Sequence, residues 1–513
     1  MNMKLLTIAL LALLPACHSN TAVVPEEEPV NDPIVVSSIK QTPEGKAYLE
    51  VDGKPMALYG AQIRVDIFRS VDHMDWDAIE PYFRTAKELG LNCVQVSYPW
   101  KFLEPRQDEY SFNEIDRILT FANDYGLKIE LLWFSTNMIG DTYTYLVPSY
   151  ILSKSSIRLA REGDGSFHAL YGYTYSIVMD DEWVLSREVK AVTKLFDHIR
   201  NWDKNHGNLH PVITCQVHNE PDALVRWRLA EKKICDKSGE LMEGQRAWQM
   251  TLKALDTVGK AIKNSSYRVA TRTNIISGNG VSGFPQRVDT SPKDVYALEG
   301  IDFVSFDPYM TSVNQIASEV SAYASMAGNY PLIAENRGDF SNTASLMLVA
   351  SALGGGYDIY DLATSPYITS HSAPPFNTEG IYNSDLTPKP QVAEVKKLLA
   401  GLIQANEDVA LTPLENFAVF NVITDSPVES KSQRICTSGA ILDFVTKEGA
   451  LAFVLDRGDH LIACSTAAAT LTISGGSSSG PINLRPGECF TIPFVSDGPI
   501  QSTTKKNIGT LYK

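Results

Sequence analysis

Two glutamates follow short apolar runs of strand-like composition. The first closes Gln216-Val217-His218-Asn219-Glu220-Pro221, and the second lies in Pro331-Leu332-Ile333-Ala334-Glu335-Asn336-Arg337-Gly338. A Glu at the C-terminal end of a barrel strand points into the mouth, where an adjacent Asn is placed to hydrogen-bond a bound hydroxyl. Two carboxyls converging on one bond, one ionised and one protonated, do nucleophilic and general-acid work at an acetal carbon, the chemistry of glycoside cleavage. Either Glu alone reads as a solvated loop-edge carboxylate. Their placement at two strand ends across one barrel makes the pair chemically significant. The GxSxG spacing Gly476-Ser477-Ser478-Ser479-Gly480 falls in the glycine-rich Ser474 to Pro481, a flexible turn with no Lys and no helix after it and so no nucleophile elbow, and no HExxH helix offers a rival centre.

The elements that must position these carboxyls are legible as alternation. β-rich runs at Met56–Arg64, Asn92–Trp100, Lys128–Phe134, Val212–Asn219, Arg268–Asn274, Phe303–Tyr309, Pro331–Ala334 and Tyr357–Leu362 are separated by helical patterns. The helices read at Ala78–Leu89, Glu114–Tyr125, Leu185–Trp202, Ala247–Ile262, Val313–Met326 and Pro390–Ile403. Eight alternating strands predict an α/β fold closed into a (β/α)8 TIM barrel rather than an open doubly wound sheet, and no GxGxxG follows the first strand. Strands four and seven then face each other across the mouth. After about residue 410 short alternating runs separated by Gly, Ser, Asp and Pro predict a C-terminal antiparallel β-sandwich, with strands at Phe417–Ile423, Ala440–Val445, Ala450–Leu455, Ala469–Ile473 and Cys489–Phe494.

Two insertions, Ser135–Glu182 and Asp222–Gln245, follow strands and so belong to the face on which barrel sites are built. The first carries Tyr143, Tyr145, Tyr150, Tyr171, Tyr173 and Tyr175, with Trp183 immediately after it, aromatics suited either to sugar faces or to an extra packed subdomain.

Several of these motifs together resemble the clan A glycoside hydrolases. Asn219-Glu220-Pro221 with the later strand-end Glu335 is similar to the clan as a whole. Asp52-Gly53-Lys54-Pro55, Ala86-Lys87-Glu88-Leu89-Gly90-Leu91-Asn92, Trp100 with Glu104-Pro105, and Tyr110-Ser111-Phe112 resemble the β-galactosidases of families 35 and 42. His218 departs from family 35, which commonly has a Glu there, and no aromatic follows Glu335.

The resemblance implies a retaining glycoside hydrolase cleaving β-linked glycosides by double displacement. Glu335 would be the nucleophile, Glu220 the acid/base and Asn219 the partner of the sugar 2-hydroxyl. Galactosides stand first as substrates; an endo-acting β-glycanase or a non-catalytic glycan-binding surface lipoprotein are the alternatives. Around the pair, Tyr309 would hydrogen-bond the nucleophile or serve packing, and Glu104 would bind a hydroxyl at the non-reducing end. Arg64 would meet the nucleophile or a hydroxyl, or form a structural salt bridge. Trp100, Trp133 and Tyr360 would be sugar platforms or packing, and Asp307 and Asp361 are further mouth carboxylates. Neither a metal nor an organic cofactor is called for.

Composition sets the outer limits. The 513 residues hold 45 Lys plus Arg against 60 Asp plus Glu, a formal charge of −15. That disfavours nucleic acid as partner, since phosphate binding runs through Lys and Arg, and leaves an oligo- or polysaccharide as the partner in view.

Lys4, the apolar Leu5–Leu14 and Pro15-Ala16-Cys17 read as a secretory signal over residues 1–16, with Cys17 placed as in a lipobox. The expected division is signal 1–16, lipid-anchor stalk 17–40, barrel 41–407 and sandwich 408–513. The expected location is extracytoplasmic, tethered through Cys17 to a bacterial outer membrane, or periplasmic or secreted. Cys93, Cys215, Cys235, Cys436, Cys464 and Cys489 show no metal-ligand spacing, and Cys93 and Cys215 are expected to be buried hydrophobes.

Overall fold

The structure is a computed structural model. It describes residues 32–136, 146–154, 169–170, 174–175, 177–222, 234–235, 241–242, 244–276, 290–372, 377–422, 431–436, 440–475 and 480–494. The segment expected to be a signal, Cys17 and most of the aromatic insertion therefore lie outside the described residues.

All eight expected strands form and close. They are Tyr59–Ile63, Cys93–Pro99, Lys128–Phe134, Val212–Val217, Ala270–Ile276, Phe303–Asp307, Ile333–Arg337 and Tyr357–Tyr360, hereafter barrel strands one to eight. Every neighbour pair is parallel, and strand eight returns to strand one through Tyr357↔Tyr59, Asp358↔Gly60 and Ile359↔Ala61. Strand two is buried throughout, as an all-parallel sheet covered on both faces requires. Cys93 and Cys215 are buried in it as small hydrophobes.

The six expected helices surround the barrel, and their ends follow capping chemistry. Trp76–Leu89 begins at Asp75, whose carboxylate accepts from the Ala78 N–H, and stops at Gly90 with φ +100°. It buries Ile79, Tyr82, Phe83, Ala86 and Leu89 on one stripe. A further helix, Thr343–Ala352, escaped the periodic reading because every one of its residues is buried. It packs between helix Val313–Ala324 and the sandwich strands Phe417–Val422 and Ala450–Asp456, so no polar face marks its period.

The barrel's lower end is closed by residues assigned from sequence to a stalk. Ile34–Val35 pairs with Tyr267–Arg268, and Ser37–Gln41, Ala47–Val51 and Lys54–Met56 form an antiparallel sheet. The Ser37 hydroxyl donates to the Ile213 carbonyl (2.5 Å) and accepts from the Ala270 N–H (2.8 Å), at the starts of strands four and five. The stretch 34–40 thus belongs to the folded body and corrects a linker drawn to residue 40; backbone pairing supplied a partner that its mixed composition does not announce.

The C-terminal region is two four-stranded antiparallel sheets. Phe417–Val422, Ala450–Asp456, His460–Ser465 and Cys489–Pro493 form one; Lys431–Cys436, Ile441–Thr446, Ala469–Ser474 and Ile482–Leu484 form the other. Three of these strands were not read from sequence: Lys431–Cys436, His460–Ser465 and Ile482–Leu484. Three strands of the first sheet, Phe417–Val422, Ala450–Asp456 and His460–Ser465, are largely buried on both faces with period two. Phe420, Val454, Leu461 and Ala463 join the sandwich core, while Val419, Phe453, Ile462 and Cys464 join the barrel's hydrophobic cluster. Two-sided burial erases the apolar/polar alternation in His460–Ser465. At Gly401 a Cβ would stand 2.1 Å from the Cys464 sulfur, so glycine is what lets helix Val392–Gln404 reach the sheet.

Candidate active site

Strand four delivers Glu220 through a sharp turn. His218 and Glu220 both take left-handed backbone angles, φ +61° and +41°, and Tyr309 after strand six has φ +47°. Non-glycine residues pay for this geometry, and it persists where neighbours over-determine it. Here they do: the His218 N–H donates to the Trp133 carbonyl (3.1 Å), and the Glu220 N–H donates to Asn274 Oδ1 (2.9 Å). His218 is further held by the buried carboxylate of Glu188 at 2.9 Å.

Strand seven delivers Glu335. Its Oε1 accepts from the Gln62 amide (3.2 Å) and its Oε2 from the Tyr309 hydroxyl. Between the two glutamates stands Asp307, the last residue of strand six. One carboxylate oxygen from each of Glu220, Asp307 and Glu335 lies within 4.8 Å of the others. Asn274, on strand five, fastens the group: its Nδ2 donates to Asp307 Oδ2 (2.7 Å) and Asn219 Oδ1 (3.0 Å). Gln216 also donates to Asn219 Oδ1 (3.0 Å), which fixes the direction of that side-chain amide.

The two glutamates differ electrostatically. Burial pushes both carboxyls above the ordinary range. Glu220 is pushed further by the negative charges of Glu335 and Asp222. Glu335 is drawn back by the Tyr309 hydroxyl, the Arg64 guanidinium, the Gln62 amide and Arg272. Proton and charge are thereby sorted, with the proton on the Glu220 side and the negative charge on Glu335. Burial and the Glu335 charge also hold the Tyr309 phenol protonated, so it remains a donor.

Of the residues singled out from sequence, Glu220, Glu335, Asn219, Tyr309, Arg64 and Tyr360 come together. Arg64 grips Asp66 with two nitrogens (3.0 and 2.9 Å) and donates to the Tyr360 hydroxyl (3.2 Å). The Tyr360 ring meets Tyr309 edge to face at 5.8 Å. The salt bridge and the electrostatic role at the nucleophile thus coexist in Arg64. Asp361, next to Tyr360, is buried, which raises its carboxyl to about 6.

Trp100, Glu104 and Trp133 do not join the site. Both indoles are fully buried, with ring centroids 6.4 Å apart. Trp100 donates to Glu104 Oε2 (2.9 Å), and Trp133 to Glu188 Oε1 (2.9 Å). Glu104, also fully buried, pairs with Arg187 and accepts from the Asp108 N–H (2.9 Å). These three are corrected to packing and ion-pair roles: each polar atom is engaged inside the protein and neither ring face is open. Of these aromatics, Tyr150 and Trp183 pack edge to face at 6.2 Å and Tyr175 lies in the short strand Thr174–Tyr175, whereas Tyr143, Tyr145, Tyr171 and Tyr173 fall outside the described residues.

Sequence reasoning missed Gln62, Gln216, Arg272 and Asn274, and undervalued Asp307. For Gln62 and Gln216 a signal was available, since each is a polar residue inside an otherwise apolar strand, as in Tyr59-Gly60-Ala61-Gln62-Ile63; Arg272 and Asn274 share strand five with Thr271 and Thr273, which blunts that signal. A buried polar side chain is costly unless partnered, so such positions mark networks.

Fold and site together define a (β/α)8 barrel with two glutamates facing each other at its mouth and a C-terminal β-sandwich. Comparison with known proteins narrows the class. A model of the glycosyl hydrolases family 35 matches residues 48–132, and one described as a domain of unknown function (DUF4978) matches 250–427. The beta-galactosidase of Mus musculus is 28% identical over 137 residues, 26% of this chain and 18% of the relative; that of Homo sapiens is 30% identical over 139 residues, 26% and 17%. The chain thus spans less than a fifth of the curated relatives it matches.

Among solved structures, the beta-galactosidase of the psychrophilic Marinomonas ef1 superposes with a TM-score of 0.51 at 11% identity, over 69% of this chain and 62% of that one. This likeness is one of fold. The chain therefore does resemble the family 35 β-galactosidases, and the sequence match lies in barrel strands one to three. Asn274, Asp307, Tyr309 and Glu335 fall in the span of the domain of unknown function, and Glu220 in neither span.

Proposed function

We propose that this chain is a retaining glycoside hydrolase acting on β-linked glycosides, with β-galactosides first among substrates and other β-glycans second. The observation that carries this reading is the pair Glu220 and Glu335: strand-end carboxyls facing each other across one barrel mouth, with oxygens within 4.8 Å and unequal neighbours, so that Glu220 holds a proton more firmly than Glu335. Retaining enzymes need carboxyls about 5 Å apart, whereas inverting ones leave about 6.5–9.5 Å for a water. The short separation favours double displacement.

Glu335, ionised and steadied by Tyr309 and Gln62, attacks the anomeric carbon. Glu220 gives its proton to the departing oxygen, then takes one from the water that cleaves the glycosyl-enzyme. Asn219, its amide oriented by Gln216 and Asn274, is the partner of the sugar 2-hydroxyl. The −15 charge and the acidic mouth favour a neutral sugar over an acidic polysaccharide. The same reading keeps the protein outside the cytoplasm, tethered by lipid at Cys17 or released.

A panel of aryl β-glycosides tests it. Wild-type protein is expected to release the aryl alcohol and to yield first the product anomer of unchanged configuration. Glu335→Gln should lose release by about 10⁴-fold or more, and undiminished release by this variant sinks the nucleophile assignment. A first-formed anomer of inverted configuration would overturn double displacement.

A further inference from the structure

Cys464 and Cys489 stand directly opposite each other on neighbouring antiparallel strands of the sandwich, His460–Ser465 and Cys489–Pro493. Along such a ladder, hydrogen-bonded and non-hydrogen-bonded residue pairs alternate. The Phe494 N–H donates to the Asp459 carbonyl (3.2 Å), which makes these two a hydrogen-bonded pair at the far end. The register then runs unbroken from His460↔Pro493 to Cys464↔Cys489. Alternation therefore makes Leu461↔Ile492 and Ala463↔Phe490 hydrogen-bonded and leaves Cys464↔Cys489 non-hydrogen-bonded. The Cys489 N–H agrees, since it donates to Gln404 Oε1 (3.3 Å) rather than to the facing strand. At a non-hydrogen-bonded pair the Cα atoms are about 4.5 Å apart and the side chains share one face of the sheet. That separation falls within the span of about 4.4–6.8 Å that a disulfide bridges.

Both thiols also converge on one residue of helix Val392–Gln404. The Cys489 S–H donates to the Gly401 carbonyl (3.2 Å), and the Cys464 sulfur lies 2.1 Å from where a Gly401 Cβ would stand. Cys93 and Cys215 have no such partner: Cys93 faces Lys128 in the barrel ladder, and Cys215 lies between Leu131 and Thr271. We propose that Cys464 and Cys489 form a structural disulfide that staples the last strand of the sandwich where it meets the barrel helix. The inference rests on the reading that places the chain outside the cytoplasm, because cytosolic thiols are kept reduced. It is independent of the glycosidase chemistry.

The structure holds both residues as thiols, Cys464 buried and Cys489 half-buried. Closing the bond requires a two-electron oxidant, and a low-molecular-weight disulfide supplies it by exchange. Access sets the order. The Cys489 sulfur, its proton given to water, attacks one sulfur of oxidised glutathione; that S–S bond breaks and one glutathione departs. The Cys464 sulfur, also giving its proton to water, then attacks the Cys489 sulfur; the mixed disulfide breaks and the second glutathione departs. Each departing thiolate takes up a proton. Two protein thiols are thus oxidised to one disulfide, and one small disulfide is reduced to two thiols.

The experiment treats the folded full chain with oxidised glutathione, alkylates the remaining thiols, and maps the products by proteolysis and mass spectrometry. Wild type is expected to yield the Cys464 and Cys489 peptides linked to each other, with no glutathione retained on either. Cys464→Ser should stop at a glutathione adduct on Cys489, and Cys489→Ser should leave Cys464 a thiol. Oxidised wild type should unfold at a midpoint about 4 °C or more above the reduced form. A lasting adduct on wild-type Cys489, or alkylation of both thiols, overturns the pairing and leaves the location reading standing. An unmoved midpoint overturns the structural role. Alkylating the chain inside its bacterial host before lysis reads the native state, and a closed pair is expected there. A pair that closes in vitro but is recovered from cells as two thiols overturns the location reading, and the native disulfide with it.

Discussion

Among the described residues the barrel carries two buried acidic clusters, and they differ in exposure and in neighbours. At the mouth stand Glu220, Asp307 and Glu335; deeper inside stand Cys93, Glu130 and Asp358, equally crowded within 4.8 Å. In the inner cluster Arg272 lies 3.4 Å from Glu130, Thr214 donates to Glu130 (3.2 Å), and Gln95 donates to Asp358 (2.7 Å). All three inner residues are 0% exposed, whereas Glu220 and Glu335 keep 6% and 5% of their surface. Both clusters contain carboxyls whose proton affinity burial raises. Crowded acids alone therefore do not make a catalytic site. The mouth adds contact with the outside at the strand ends, and unequal neighbours that give one acid the proton and another the charge.

Breaking the mouth should cost activity and leave the fold standing. Glu335→Gln is the largest effect, the loss of about 10⁴-fold given above, with a denaturation midpoint at or above wild type because a buried charge is removed. A variant that unfolds would merge the two clusters into one structural network. Breaking the inner cluster should cost the fold itself. Arg272→Met strands Glu130 without its cation and is expected to cost about 3–5 kcal/mol in urea unfolding; a cost under about 1 kcal/mol would show that the inner acids need no counterion.

Tyr309→Phe sharpens the comparison within the mouth. It removes a hydrogen bond to a charged carboxylate, worth about 1.5–3 kcal/mol, so kcat/KM should fall about tenfold to a hundredfold while stability changes little. An unchanged rate would place the Tyr309 hydroxyl outside transition-state stabilisation.

The smallest effect lies at the rim. Glu379, beside Arg337 at 3.7 Å, is raised from 4.5 to about 8 by burial first and the Asp361 charge second. A carboxyl raised on folding contributes stability that is full below its unfolded value and is lost as pH rises through the folded one. Unfolding free energy should therefore decline between about pH 4.5 and 8, and Glu379→Gln should flatten part of that slope. A parallel slope in the variant would assign the decline to other groups, such as Asp361.

Much of the mouth was legible residue by residue. Glu220 and Glu335 announce themselves as carboxyls ending apolar runs, and Tyr309 and Arg64 stand at neighbouring run ends. Trp100, Trp133 and Glu104 misled for a physical reason: position after a strand says that a side chain is near the mouth, not whether a neighbour already covers it. Arg187 and Glu188, from the helix Glu182–Asn205 far along the chain, take the polar atoms of Glu104 and Trp133.

The sequence alone determined the period of each element, hence eight parallel strands, their helices, a separate β region and the two acids that end strands four and seven. These depend on local pattern, which burial on one face writes into the chain. Tertiary structure decided what depends on contact between distant segments. It buried helix Thr343–Ala352 and strand His460–Ser465 on every side and so removed their pattern, and it joined Asn274 to Asn219, Glu220 and Asp307 from three strands. It also divided the protons among the acids. Proton affinity belongs to the surroundings of a carboxyl, and those surroundings exist only once the barrel has closed.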